Sequence, residues 1–271
     1  MTETSMPKGF IYVVTTLTTG YAQKGFCNVP TWWDNCLYFG PCKRSMRPKM
    51  REGHWVFGVS PASTRPRRIV FVAELNKCMT FKEAYNCFID LRGPEGPIHV
   101  RPVDDGEGRF PRSCYEHILH AMHEDDWEKD LKSRELDRFF VFSKPAGCCG
   151  RWLGEYGPEI KDEILEFLRG ASVHGRAIAG SRQNRNATSR NPIVYCGPGG
   201  GRLYMGLHLE TDEPEALVGL CKAGMSGITS LDLDRVSTPP RNPRAGRECG
   251  VRKPDSHLGA KKPVRTVKGT C

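Results

Sequence analysis

The sequence has no Cys-x-x-C pattern, although it holds 12 cysteines in 271 residues. Cys27, Cys36 and Cys42 are too widely spaced for a familiar zinc knuckle, and Cys148 and Cys149 are adjacent, which is a poor geometry for joint ligation. No metal site is therefore predicted. A chain of this size without an export signal is expected to keep its thiols reduced, as cytosolic proteins do.

Long apolar runs are also missing. No stretch approaches the ~20 apolar residues that a membrane-spanning helix needs. The apolar stretch GFIYVV near the start is too short for the core of a secretory signal, and no small-residue cleavage site follows it. We therefore expect a cytoplasmic protein with no membrane partner.

Acidic residues are scarce at the end of the chain. From Arg235 to Cys271 ten lysines and arginines are opposed only by Glu248 and Asp255, a surplus of eight in a total net charge of +9. With five prolines and few large apolar side chains, this segment cannot bury enough surface to fold. It predicts a disordered basic tail over 235–271 after a single domain over 1–234. Such tails attract nucleic acid without choosing a sequence, or serve only solubility.

The apolar patterns of the remaining chain predict an α+β fold. Strands are expected at 10–17, 54–59, 69–75 and 137–143, with the third central because it is nearly all apolar, and a hairpin around GPGGG at 197–201. Helices are expected after two capping boxes, Thr80 with Glu83 and Ser113 with Glu116, and at 158–170 and 213–223. The order lacks regular β-α alternation, which favours a curved, mostly antiparallel sheet or a small β-barrel flanked by helices.

A basic loop of residues 43–51 precedes the second strand and holds five cations. Its cations, together with Trp32 and Trp33 upstream, have the composition of a surface that holds phosphate and stacks on a base. The proposed binding residues are Lys43, Arg44, Arg47, Trp32 and Trp33. The alternative is a solvated loop with the tryptophans at the edge of the core, because lysine and arginine are surface residues by default.

A second positive stretch runs from Phe167 to Leu209 without one acidic residue. Its CGPGGGR segment, ending at Arg202, could bring backbone N–H groups close to an anion. It lacks the ending of a phosphate-binding P-loop and the dinucleotide fingerprint, so no cofactor is predicted. It adds Arg202 to the predicted anion-binding surface, to which Arg151 of the glycine-rich loop is also assigned.

Two groups of residues are candidates for catalysis. Cys148 and Cys149 stand beside Arg151 in a glycine-rich loop, where a cation could lower a thiol pKa and activate a nucleophile. His120 and Glu124 would share one face of a helix, where they could act as base and orienting carboxylate. The alternatives are buried structural thiols and a solvated helix face, and the sequence decides neither.

Several of these features together resemble a known family. Tyr12–Val14, the pair Cys42–Lys43, Arg47, and the G-x-W-x-x-G pattern of Gly53, Trp55 and Gly58 are similar to the nucleotide modification associated domain, type 2. The resemblance continues through FVAEL, MTFKEAY, FVFS and Gly157–Pro158, and covers about residues 9–160. The chain departs from it at His54, where that family often has an acidic residue.

The resemblance implies a role with systems that modify or process DNA bases in bacteria or their phages. The basic loop followed by a G-x-W strand is also similar, at the level of fold, to PUA-like domains, which bind nucleotides or unusual bases. Three functions stay open: a nucleotide- or nucleic-acid-associated protein that modifies or recognises DNA bases, a cysteine- or histidine-dependent enzyme on a nucleotide-like substrate, and a non-catalytic accessory protein.

Overall fold

A computed structural model describes residues 6–14, 30–33, 36–40, 43–60, 64, 66–92, 97–103, 109–118, 127–175 and 207–237, except the side chains of Trp33 and Ser237. These residues belong to one unit, Met1–Pro239. The predicted tail beyond Ser237 lies outside the described residues.

The described chain contains eleven strands, five α-helices and three short 3-10 helices. The strands are β1 (Gly9–Val13), β2 (Thr31–Trp33), β3 (Cys36–Phe39), β4 (Trp55–Val59), β5 (Ile69–Met79), β6 (Val100–Pro102), β7 (Tyr115–His117), β8 (Phe139–Phe142), β9 (Arg151–Trp152), β10 (Ser172–Gly175) and β11 (Leu207–Thr211). The α-helices are α1 (Phe81–Cys87), α2 (Trp127–Asp130), α3 (Asp162–Gly170), α4 (Pro214–Gly224) and α5 (Ser230–Ser237), and the 3-10 helices are Ile89–Leu91, Arg134–Leu136 and Gly154–Tyr156.

Nine of the strands form one mixed sheet, in the order β10-β11-β1-β4-β5-β8-β3-β2 with β9 beside β5. Its strand pairs are antiparallel except β1 with β4, which run parallel. A separate pair, β6 with β7, is also antiparallel. The predicted α+β class and the predominance of antiparallel pairing are confirmed. The described strands do not close into a barrel, so the small-barrel alternative was wrong for this part of the chain.

Strand β5 is central, as its apolar sequence predicts. It pairs with β4 along one edge and with β8 and β9 along the other. A strand with neighbours on both edges and cover on both faces reads as a continuous apolar run. The strand extends to Met79, four residues past the predicted end, because its second half pairs with β8.

Side chains of the central strands alternate between two apolar cores. Ile11 and Val13 of β1 point to one core, in which they pack with residues of α3, α4 and α5. Phe10, Tyr12 and Val14 point to the other, in which they pack with Met46 and Met50 of the basic loop. We call these the helix-covered face and the loop-covered face. Period-two alternation along β1 therefore assigns each residue its environment.

The G-x-W-x-x-G pattern has a structural explanation. Gly53 adopts a φ of +82°, a conformation that glycine tolerates and other residues avoid. Gly58 lies under the Phe71 ring, and a Cβ at this position would come within 2.1 Å of a Phe71 ring carbon. Gly53 thus forms the turn into β4, and Gly58 permits the close packing of β4 on β5.

Local signals were wrong where long-range pairing overrode them. The first capping box is confirmed, because Thr80 and Glu83 bond reciprocally at the start of α1. The helix predicted after the second capping box, Ser113 with Glu116, was wrong, because Tyr115–His117 is a strand that pairs with β6. The Tyr115 hydroxyl donates a hydrogen bond to the Asp137 carboxylate at 2.7 Å. This contact attaches the strand to the residues that precede β8. Helix α3 begins at Asp162, four residues after Pro158.

The described helices include none that is both long and apolar enough to cross a membrane. Helix α5 continues to Ser237, so ordered structure extends three residues past the predicted domain end at 234. Helix α4 occupies Pro214–Gly224, within one residue of the prediction. The first half of the predicted late hairpin lies outside the described residues, and β11 pairs with β1 and β10.

Candidate active site on the loop-covered face

The buried position of Arg47 overturns its predicted role in binding an anion. Its side chain is fully buried, and its guanidinium donates to the backbone carbonyls of Leu136 and Asp130. An arginine enclosed in this way ties the basic loop to the segment after α2. Its guanidinium is hydrogen-bonded inside the protein, so a phosphate in solution cannot reach it.

The other two predicted phosphate-binding cations of the basic loop also have partners in the protein. Lys43 is half-buried, with its ammonium 4.6 Å from the centre of the Tyr12 ring. Arg44 is exposed, but its Nε lies 3.2 Å from the Asp130 carboxylate. Arg44 and Arg47 thus both contact Asp130, whereas Lys43 is directed toward Tyr12. The basic run serves mainly to attach the loop to its surroundings.

The remaining predicted site residues are not brought together either. Trp32 is half-buried and packs against the core of the loop-covered face, whereas the Trp33 side chain is not among those that the structure describes. Arg151 is mostly buried, with Nη1 2.8 Å from the Asp234 carboxylate of α5. His120, Glu124 and Arg202 lie outside the described residues. The preceding histidine, His117, is on strand β7 and not on the predicted helix.

Two strands at the edge of the sheet bring a different set of polar side chains together. His208 and Glu210 are two residues apart on β11, so both point to the loop-covered face. His174 lies directly opposite His208 on β10, and the two rings stack with centroids 5.8 Å apart. The His208 ring also contacts Phe10 of β1, at 6.0 Å between centroids. His208 is 1% exposed, which makes it a buried polar group.

The basic loop contributes two more polar side chains to this set. Lys49 donates to the Glu210 carboxylate at 2.6 Å, and its Nζ is 3.4 Å from Nδ1 of His174. The Ser45 hydroxyl lies 3.3 Å from Nδ1 of His208. On its other side, Nε2 of His208 is 2.8 Å from the Glu210 carboxylate. We refer to Ser45, Lys49, His174, His208 and Glu210 as the polar cluster.

The protonation states follow from these contacts. Burial raises the pKa of Glu210, but hydrogen bonds from His208 and Lys49 outweigh it and lower the pKa to about 2. Burial lowers the pKa of His208, and its contact with Glu210 opposes this only in part. At neutral pH the cluster therefore contains an ionised Glu210 beside a neutral His208.

This pair of states fixes the direction of the hydrogen bonds. A carboxylate only accepts, so Nε2 of His208 must carry the proton that it donates to Glu210. In a neutral imidazole the other nitrogen, Nδ1, is then an acceptor. The Ser45 hydroxyl consequently donates to Nδ1. The chain of bonds runs from a serine hydroxyl through a histidine to a carboxylate.

Such a chain is able to activate the serine. A histidine that accepts from a hydroxyl can remove its proton, while the carboxylate orients the ring and stabilises the imidazolium that forms. The Ser45–His208 distance of 3.3 Å is at the long end of such contacts, which are often loose before substrate binds. Ser45 is half-buried and His208 is buried, so the serine is more accessible to solvent than the histidine. Among the residues that the structure describes, the polar cluster included, no group of three or more His, Cys, Asp or Glu side chains is arranged to hold a metal ion.

The predicted thiol pair lies on the helix-covered face. The Sγ atoms of Cys148 and Cys149 are 3.8 Å apart. The hydrogen bond from Cys149 lowers the pKa of the Cys148 thiol to about 7, against the effect of burial. The pKa of Cys149 is raised, because its thiol keeps the shared proton and is itself buried in part.

His208 and Glu210 were not predicted as site residues from the sequence. A usable signal was present in the alternation Leu-His-Leu-Glu over 207–210, which places two polar residues on the same face of an apolar strand. Ser45 is part of the basic loop, but only the cations of that loop were predicted as site residues. Nothing in the sequence links Ser45 to His208, which are 163 positions apart.

Comparison of the chain with protein-family models, with curated proteins and with solved structures finds no match.

Proposed function

We propose that this protein is a histidine-dependent enzyme that acts on a nucleotide-like substrate or on DNA bases. Ser45 is the nucleophile or proton donor, His208 the general base, and Glu210 the residue that orients His208. The observation that carries the proposal is the hydrogen-bonded chain from Ser45 through His208 to Glu210, in which the protonation states favour proton transfer away from the serine.

Two features support a nucleotide or nucleic acid as the substrate class. The first is the resemblance of residues 9–160 to the nucleotide modification associated domain, type 2. The second is the group of cations in the basic loop, since the net charge of +9 comes almost entirely from residues 235–271. Arg44, Lys49 and Arg51 remain partly exposed around Ser45, and they are the cations of the basic loop that a phosphate could contact.

The catalytic part of the proposal is tested with a fluorophosphonate probe, which reacts covalently with activated serines. We expect labelling of Ser45 in the full chain, located by mass spectrometry after proteolysis. Labelling should be absent in Ser45→Ala and about 100-fold slower in His208→Asn, because the general base is lost.

His54→Gln is the matched control for this experiment. His54 is also buried, and its ring contacts the same Phe10 side chain, but its Nδ1 accepts from the Arg51 backbone N–H. Its substitution should leave Ser45 labelling unchanged. If Ser45 is not labelled in the folded protein, or is labelled at the same rate in His208→Asn, the catalytic role is wrong and the polar cluster only attaches the basic loop to the sheet.

The substrate part is tested by fluorescence anisotropy with a fluorescein-labelled DNA duplex, with and without modified bases. We expect binding that weakens with salt, with a shallower salt dependence when Arg44 and Arg51 are changed to glutamine. The control is a full-length variant in which the lysines and arginines of residues 241–268 are glutamine. Complete loss of binding in that control would show that the folded unit has no part in DNA binding.

A further inference from the structure

A pair of adjacent thiols is held in a fixed loop between β8 and β9, away from the polar cluster. Gly147 and Gly150 flank the pair with φ of +58° and +72°, a conformation that glycine adopts without strain. Ala146 and Cys149 exchange two backbone hydrogen bonds, each of 3.0 Å. The Gly150 N–H donates to the Val72 carbonyl of β5 at 2.8 Å. The loop is thus attached to the central strand, and its two sulfur atoms are positioned by the backbone.

The two sulfur atoms are close enough to react with each other. Their separation of 3.8 Å is a van der Waals contact, so a bond requires an approach of about 1.8 Å to reach the disulfide length. Consecutive Cα atoms are only ~3.8 Å apart, which is shorter than the usual distance across a disulfide. A disulfide between them would therefore be strained, and strained disulfides are the readily reduced ones.

The surroundings of the pair favour one reactive thiolate. Cys148 is the acidic member, and the ammonium of Lys222 and the guanidinium of Arg151 also lower its pKa. Cys149 is half-buried and more accessible than Cys148. A third thiol, Cys221 on α4, is fully buried beside them, and burial raises its pKa. One thiolate with a neighbouring thiol that can resolve it is the arrangement found in redox-sensitive cysteine pairs.

We propose that Cys148 and Cys149 are a reversible oxidation site that takes a hydroperoxide and forms a disulfide between adjacent residues. The Cys148 thiolate attacks the peroxide and breaks the O–O bond, which gives a sulfenic acid on Cys148 and, after protonation, one water or alcohol. The Cys149 sulfur then attacks the Cys148 sulfur and displaces the hydroxyl group, which takes up the Cys149 proton and leaves as water. Two thiols are oxidised, one peroxide is reduced, and an external thiol restores the pair by exchange.

The experiment uses the reduced full-length protein with hydrogen peroxide, followed by alkylation, trypsin and mass spectrometry. The tryptic peptide Phe139–Arg151 contains both cysteines and no other, since trypsin does not cut between Lys144 and Pro145. We expect this peptide to lose about 2 Da, to resist alkylation, and to regain two alkylatable thiols with dithiothreitol. Its oxidation should be about tenfold faster than that of the exposed Cys87, because the reaction follows thiolate content.

Serine variants separate the two steps. Cys149→Ser should stop at the sulfenic acid, which dimedone traps on Cys148, whereas Cys148→Ser should leave Cys149 reduced. Cys87→Ser is the matched control and should behave as the unchanged protein does.

The proposal is wrong if both thiols of Phe139–Arg151 can still be alkylated at a peroxide dose that oxidises Cys87. It is also wrong if the disulfide that forms joins Cys148 to Cys221. Fluorophosphonate labelling of Ser45, measured on the same samples, reports on the proposed function separately.

Discussion

The two faces of the sheet are covered in different ways, and their contents differ accordingly. On the helix-covered face, α3, α4 and α5 bury an almost wholly apolar layer, in which the thiols of Cys148 and Cys221 are among the few polar groups. On the loop-covered face, an irregular loop supplies Met46 and Met50 over one part of the sheet. Over another part it supplies Ser45 and Lys49, which meet His208 and Glu210.

The difference follows from the backbone of the covering element. A helix satisfies its own peptide groups and offers an apolar stripe, so it is suited to sealing a core. A loop leaves peptide groups and short polar side chains facing the sheet, and they need partners. We expect the helix-covered face to determine stability and the loop-covered face to contain the reactive polar groups, with the dithiol loop as an exception at the margin of the apolar layer.

The largest effect on stability is expected from Leu217→Ala on the helix-covered face. Leu217 is fully buried in the core between α4 and the sheet. Its truncation should lower the free energy of unfolding by about 2–5 kcal/mol, measured by urea denaturation, because transfer energy is lost and a cavity forms. The fluorophosphonate labelling rate of Ser45 in the folded variant should not change. A slower rate would mean that the two faces are coupled.

On the loop-covered face, Arg47→Met should lower the free energy of unfolding by about 2–4 kcal/mol, because two buried carbonyls lose their donor. Arg44→Met is the matched control three residues away. Arg44 is exposed but its partner Asp130 is buried, so the loss should be about 1 kcal/mol and smaller than that of Arg47→Met. Equal losses in the two variants would contradict the assignment of Arg47 as the residue that anchors the loop.

Glu210→Gln should produce a smaller loss that depends on pH. The folded pKa of Glu210 is about 2, below its ordinary value of 4.5, so the ionised side chain stabilises the fold above pH 4.5. That contribution disappears as the pH falls toward 2. The variant should be about 2 kcal/mol less stable than the unchanged protein at pH 7 and nearly equal to it near pH 2. A difference that stays constant from pH 7 to pH 3 would show that the carboxylate charge does not stabilise the fold.

The smallest effect is expected from Lys49→Ala. The Lys49 side chain is 45% exposed, so its pair with Glu210 is screened by water. The free energy of unfolding should fall by less than about 1 kcal/mol. The pKa of His208 should change more clearly than stability, because Lys49 is one of the charges that lower it. NMR titration of the histidine would measure an upward shift, and an unchanged His208 pKa would exclude Lys49 from the electrostatics of the polar cluster.

Much of the sheet could be predicted from the sequence, because its strands carry local signals. The apolar run at Ile69–Leu75 identified the central strand, and β-branched and aromatic runs identified β1, β4 and β8. The failures were at segments whose structure depends on distant partners. Ser113 and Glu116 have the spacing of a capping box, but the backbone of Tyr115–His117 bonds to β6 instead. A spacing rule cannot weigh a local cap against pairing with a remote strand.

The site was harder to predict than the fold, for a different physical reason. Cations in a loop are normally exposed, and this default led to the prediction of Arg47 as a phosphate ligand. Only the tertiary structure shows that two backbone carbonyls make its burial favourable. Cys148 and Cys149 were identifiable as a pair because their proximity follows from adjacency in the chain.

The sequence by itself determined the period of each strand, the glycine turn at Gly53, and the placement of His208 and Glu210 on one face of β11. These properties arise from neighbours along the backbone. The tertiary structure alone decided which loop lies over that face, and so joined Ser45 to His208. Contact between groups 163 positions apart depends on the packing of the whole sheet, which no local pattern records.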